Sequence, residues 1–88
     1  MKIWKFPLQI VSKQKLTMPQ GAQILSLQTK GDLPHIWALV AENAQSESRT
    51  FVIRCTGQLI THCGHFVGTF QTTSPAEVFH VFEQETDQ

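Results

Sequence analysis

The chain has 88 residues, 41% of them hydrophobic, and its seven Lys and Arg balance seven Asp and Glu at neutral pH. So short a chain buries only about 60–65% of its unfolded surface around one core, which excludes a second domain, and its six Phe and two Trp exclude global disorder. Zero net charge excludes the overall basic excess on which non-specific nucleic-acid binding depends, so any such binding must use a local patch.

Almost every apolar run alternates with period two, and no window of helical length carries an apolar stripe at three-to-four spacing. The expected fold is all-β: a small single-domain barrel or sandwich of about seven short, mostly antiparallel strands. The domain spans residues 1–84, followed by a charged tail at 85–88. Function then belongs to strand faces, edges and loops.

In chain order, Lys2–Ile10 is the first expected strand, with Trp4, Phe6, Leu8 and Ile10 on one face and Pro7 marking an edge or a break. Gln14–Met18 follows, then the Pro19-Gln20-Gly21 turn. Ala22–Thr29 and His35–Ala41 read as a hairpin with a long loop. On the second of these strands Trp37 shares a face with His35 and Leu39, while Ile36, Ala38 and Val40 take the other. Both faces are largely apolar, so the expectation is a strand buried on both sides, with an interface around Trp37 and Leu39 as the alternative.

Glu42–Arg49 holds no large apolar residue and is expected to be an exposed, mobile loop. Thr50–Thr56 is the next strand, with Phe51, Ile53 and Cys55 on one face. Leu59–Cys63 reads as a short strand, and His65–Gln71 and Val78–Glu83 as the last two. Phe66, Gly68 and Phe70 form one same-face set, and Val78, His80 and Phe82 another. Ser74-Pro75-Ala76-Glu77 has the residue types of a helix start and predicts one short helical turn at 74–77. All five lysines lie within residues 1–30, and Glu77, Glu83, Glu85 and Asp87 crowd the C-terminus. Pairing of the first and last strands, with mutual neutralisation, is the expected arrangement; a basic binding face is the alternative.

The blocks GAQILSLQTKGDLPHIWALV, RTFVIRCTG, FVGTFQ and VFHVFE, in this order and spacing, resemble a family of small uncharacterised proteins of tailed phages and prophages. The resemblance runs from Lys5 to Glu83. It implies a phage accessory protein made in the bacterial host cytoplasm, and it brings no catalytic or ligand-binding residue to this chain. It also implies that the stretch matching Ile60–His65 varies and is often acidic, which counts against a metal site there.

The residues alone agree on the compartment. Two cysteines are too few for a disulfide scaffold. The opening MKIWKFPLQIV is broken at Lys5 and Pro7 and lacks a signal-peptide core, and no run approaches the ~18 apolar residues of a membrane span.

Cys55, His62, Cys63 and His65 are the only cluster with zinc-ligand chemistry, but no Cys-x-x-Cys pair occurs, and neighbours on a strand point to opposite faces. No nucleophile elbow, phosphate loop or zinc-protease motif is present, and the chain has no tyrosine. Asp32 and His35 form a weak acid/base suggestion at a hairpin tip. No catalytic residue, metal or cofactor is therefore expected, and the phage resemblance implies a non-enzymatic protein that binds and modulates a host macromolecule such as a defence or gene-expression component. Its expected interaction residues are Trp37, Leu39, Glu42, Arg49, His62 and His65.

An alternative is an oligomeric small-ligand binder that sequesters a nucleotide signal through Lys13, Lys15, Lys30 and Arg54. Single-stranded nucleic-acid binding is a further alternative. It is disfavoured because Trp4 and Phe6 sit on a core-type face and the charges balance. A host protein is the expected partner and a homo-oligomer the second; no membrane contact is expected.

Overall fold

The computed structural model describes residues 1–62 and 64–85, so Cys63 and residues 86–88 of the expected tail lie outside the described residues. Seven strands follow in order: β1 (Lys2–Pro7), β2 (Lys13–Pro19), β3 (Gln23–Lys30), β4 (Leu33–Val40), β5 (Ser46–Cys55), β6 (His65–Thr73) and β7 (Ala76–Gln84). They form a three-stranded sheet, β1-β4-β3, and a four-stranded sheet, β2-β5-β7-β6, in which all pairings are antiparallel. The barrel alternative is thereby removed: this is two facing sheets without closure. The shortest extent is 16 Å, which holds two sheets at the usual ~10 Å separation and, among the described residues, leaves no third layer over either outer face.

Between the sheets lies one core. Ile36, Ala38 and Val40 of β4 meet Phe51 and Ile53 of β5, Phe70 of β6, Phe79 and Val81 of β7, and Met18 of β2. Each fully buried aliphatic or aromatic side chain contributes about 1.5–3 kcal/mol relative to exposure. Leu8 joins this core from the β1–β2 connection, which is bonded to both sheets: the Leu8 N–H donates to Pro34 O, and the Ile53 N–H donates to Ser12 O. β1 therefore stops at Pro7, and Ile10, expected in the core, is 40% exposed.

β3 and β6 are where the two sheets come closest. A Cβ added at Gly68 would meet Leu27 at 3.0 Å, so glycine permits this approach. Each of these strands also carries a register shift, between Ile24 and Ser26 in β3 and between Phe66 and Gly68 in β6. The second shift corrects the expected face assignment. Val67 is the extra residue, Phe66 stands opposite Phe82 on the outer face, and Phe70 stands opposite Phe79 on the inner one.

Several local expectations change for identifiable reasons. The β3–β4 connection is a tight Gly31-Asp32 turn, with φ of 57° and 69°, rather than a long loop. The proposed helical turn at 74–77 is a hairpin turn with a cis Ser74–Pro75 bond, and Ala76 is already in β7. There the Glu77 N–H donates to Thr72 Oγ1 instead of closing a helix cap on Ser74. β5 begins at Ser46, four residues inside the expected mobile loop. Residues 59–62 are not strand. β1 and β7 lie in different sheets, so the basic and acidic ends of the chain do not neutralise each other across a strand pair.

Candidate functional site

Strand alternation sorts the charges. Of the acids among the described residues, Glu47, Glu77 and Glu83 follow the inner-face alternation of β5 and β7, Asp32 and Glu42 lie in turns, and Glu85 follows β7. The outward positions of both sheets carry only basic charge among the described residues. A chain of zero net charge thus presents two acid-free faces.

Arg49 is not on either of them. Because β5 starts at Ser46, alternation turns Arg49 inward, where Nε and Nη2 donate to the two Glu83 oxygens at 2.6 and 2.8 Å and Nη1 donates to Ala22 O at 2.6 Å. This fork-to-carboxylate pairing, with both side chains about a fifth exposed, clamps the β2–β3 corner to β5 and β7. The Glu83 hydrogen bond, aided by the charges of Glu83 and Glu47, holds the Arg49 guanidinium above its ordinary pKa against the opposing effect of burial. Arg49 is thus a clamp within β5 and not part of the exposed loop expected over Glu42–Arg49. The cleft beside it, about 390 Å³, is lined by His65 and Glu47 among others.

The remaining expected interaction residues do not form one surface. Glu42 lies in the β4–β5 turn with Oε2 3.9 Å from the N-terminal ammonium, and His62 is exposed before β6. His65 opposes Glu83 at one end of β7, whereas Cys55 opposes Phe79, four residues or ~13 Å along the strand. Cys55 and His65 therefore do not converge on one metal; Cys63 lies outside the described residues. Asp32 is also occupied elsewhere, accepting from the Thr73 N–H and Oγ1 at 3.0–3.2 Å, while His35 Nδ1 faces Leu33 O.

Trp37 and Leu39 do lie together, on the outer face of the three-stranded sheet. Cross-strand register there sets Leu39 between Ile3 and Gln23, and Trp37 between Lys5 and Ser26. Trp37 is 36% exposed and Ile3 59%, so β4 is covered on its inner side only, contrary to the expected double burial. Lys5 Nζ sits 5.8 Å from the centre of the Trp37 ring, a cation–π contact. Lys5, Lys30, His35, Gln28 and Trp37 line a shallow depression of about 500 Å³.

The expected phosphate set divides between the two sheets. Lys13 opposes Val52, Lys15 opposes Thr50 and Arg54 opposes His80, all on the outer face of the four-stranded sheet, while Lys30 belongs to the other sheet. Phe66 and Phe82 share the face with those three cations, and nothing in the alternation of β6 announced it, because a bulge leaves no period-two mark.

No helix long and apolar enough to cross a membrane occurs among the described residues. Over residues 1–88 the chain matches the family described as Domain of unknown function (DUF7352), and it belongs to that family. Neither the curated proteins nor the solved structures contain a match.

Proposed function

We propose that this member of the family is a non-catalytic binding domain, supplied by a phage or prophage to the bacterial cytoplasm, that engages a host protein through the outer face of the three-stranded sheet. The observation that carries this reading is Trp37, which sits exposed on the central strand of the three-stranded sheet's outer face, opposite Lys5 and next to the Leu39–Ile3 pair. An aromatic anchor with apolar neighbours and a polar rim is the usual anatomy of a protein interface. The rim here is Lys5, Lys30, His35, Gln23 and Gln28, with no acid on the face among the described residues. The complementary partner surface is an apolar spot ringed by carboxylates.

The test is affinity capture from infected host lysate, followed by titration of the purified captured protein. Trp37→Ala is expected to weaken the dissociation constant at least 30-fold, as hot-spot truncation does. Lys5→Glu is expected to weaken it further at low salt than at high salt. A stoichiometric partner bound equally well by wild type and Trp37→Ala would remove this face from the interaction.

The depression beside Trp37 supports a second reading, binding of a small anion such as a nucleotide, with the base on the indole and phosphates at Lys5 and Lys30. Saturable quenching of Trp37 fluorescence by a nucleotide, lost in Lys5→Glu, would favour it over the protein partner.

A further inference from the structure

The outer face of the four-stranded sheet is built differently. Register aligns Lys13, Val52, Phe82 and Phe66 in a single row across β2, β5, β7 and β6, a span of about 14 Å at the usual strand separation. On one side of this row lie Lys15, Thr50 and Gln84; on the other lie Arg54, His80 and Thr69. Successive rows are ~6.8 Å apart along the strands. The cations thus occupy β2 and β5, and the aromatics occupy β7 and β6.

Phe66 is 61% exposed, and its ring meets Phe82 edge-on with centroids 5.5 Å apart. Val52, between Lys13 and Phe82, is fully covered although it points away from the shared core, which makes a dry floor to the row. Arg54 is fixed over the face by Nη1, which donates to Ser12 O and Ile53 O at 3.0 Å. Neither Arg54 nor Lys13 nor Lys15 has a carboxylate partner among the described residues. His80 is fixed too, its two ring nitrogens hydrogen-bonded to the hydroxyls of Thr56 and Thr69 at 2.8 and 2.9 Å.

We propose that this face binds single-stranded nucleic acid, with phosphates tracking Lys15, Lys13 and Arg54 along β2 and β5 and one or two bases stacked on Phe66 and Phe82. Charge complementarity favours a polyanion, and the exposed ring of Phe66 beside the half-buried ring of Phe82 favours one that carries flat aromatic groups. Sequence-tolerant single-strand binders combine these two features. An acidic polypeptide satisfies only the first, and a duplex hides its base faces from the rings. The site is separate from the Trp37 face, so it stands or falls independently of the protein-partner reading.

The test uses the full chain and fluorescence anisotropy with labelled oligo-dT and oligo-U 12-mers. Micromolar binding is expected at 50 mM salt, weakening with a log–log salt slope of about −2, as three neutralised phosphates on a single strand require. Lys13→Glu with Arg54→Glu is expected to reduce affinity at least tenfold, and Phe66→Ala about tenfold. Trp37→Ala and Lys5→Glu, on the opposite sheet, are expected to change it less than twofold. Phe66 is exposed, so its variant folds, and circular dichroism and unchanged thermal unfolding would verify that.

Three results would overturn the proposal. One is absence of binding to both oligonucleotides at tens of micromolar protein. Another is equal affinity for duplex DNA or polyglutamate with no response to Phe66→Ala, which would leave only non-specific charge. The third is a concentration-dependent dimer abolished by Phe66→Ala, which would assign the face to a second copy of the chain.

Discussion

Strands β6 and β7 carry two phenylalanine pairs with opposite fates. Phe70 and Phe79 face inward, 4% and 8% exposed and stacked at 5.2 Å, while Phe66 and Phe82, on the same two strands, face outward and meet edge-on. On β7 the odd spacing of Phe79 and Phe82 parts them by ordinary alternation, whereas on β6 Phe66 and Phe70 are four residues apart and only the bulge at Val67 separates them. Without it Phe66 would follow Phe70 inward. A one-residue insertion in a ladder reverses every side chain beyond it, so here it converts a core position into a platform facing solvent.

Truncating the two pairs should separate them most strongly. Phe79→Ala is expected to cost about 3–5 kcal/mol in urea unfolding, as deletion of a buried ring does, whereas Phe66→Ala should stay within about 0.5 kcal/mol. Equal losses in the two variants would mean that the outer pair also serves the core.

The charged residues extend the comparison. Arg49→Met leaves the half-buried Glu83 carboxylate unpaired and should cost about 2 kcal/mol, less than a fully buried pair because both groups reach solvent. A double-mutant cycle with Glu83→Leu should recover a coupling of ~1 kcal/mol or more. Arg54→Ala on the outer face should show no comparable coupling with any acid.

Gly68→Ala probes the contact that accompanies the bulge. The new methyl meets Leu27 Cβ and Cδ2 at 3.0 and 3.1 Å, so a loss of about 1–3 kcal/mol is expected, smaller in a Leu27→Ala background where the space opens. Additive losses in that pair would place the strain elsewhere. The smallest effect belongs to Lys15→Ala. Stability should be unchanged within about 0.5 kcal/mol, and the salt slope of oligonucleotide binding should fall by about 0.7.

Much of the interior was legible in advance. Phe51, Ile53 and Cys55 share the face that alternation assigned them, as do Ile36, Ala38 and Val40, because a period-two pattern is a local property of a strand with one buried side. The polar run Glu42–Arg49 misled for an equally local reason. It lacks apolar residues, yet its second half continues β5, and the position of Arg49 is stabilised by Glu83, 34 residues away. Ser74–Glu77 carried good helix-start chemistry that lost to ladder pairing between β6 and β7 on both sides of the turn.

Of the candidate surfaces, Trp37 and Leu39 could be placed on one face from spacing, but not their exposure, since that depends on whether a layer covers the sheet. Lys13 and Lys15 share a face by spacing as well. Their association with Arg54, Phe66 and Phe82 needed the β2-β5-β7-β6 order and the register of three separate pairings.

The amino-acid sequence by itself determined an all-β domain, the approximate strand positions and most of the inward residues, since alternation and turn chemistry act over a few neighbouring residues. Only the tertiary structure decided which strands share a sheet, that among the described residues no further layer lies over either outer face, and where a single extra residue turns Phe66 to solvent. Those outcomes depend on hydrogen-bonded partners and packing contacts tens of residues apart, such as Leu27 against Gly68, and leave no periodic trace along the chain.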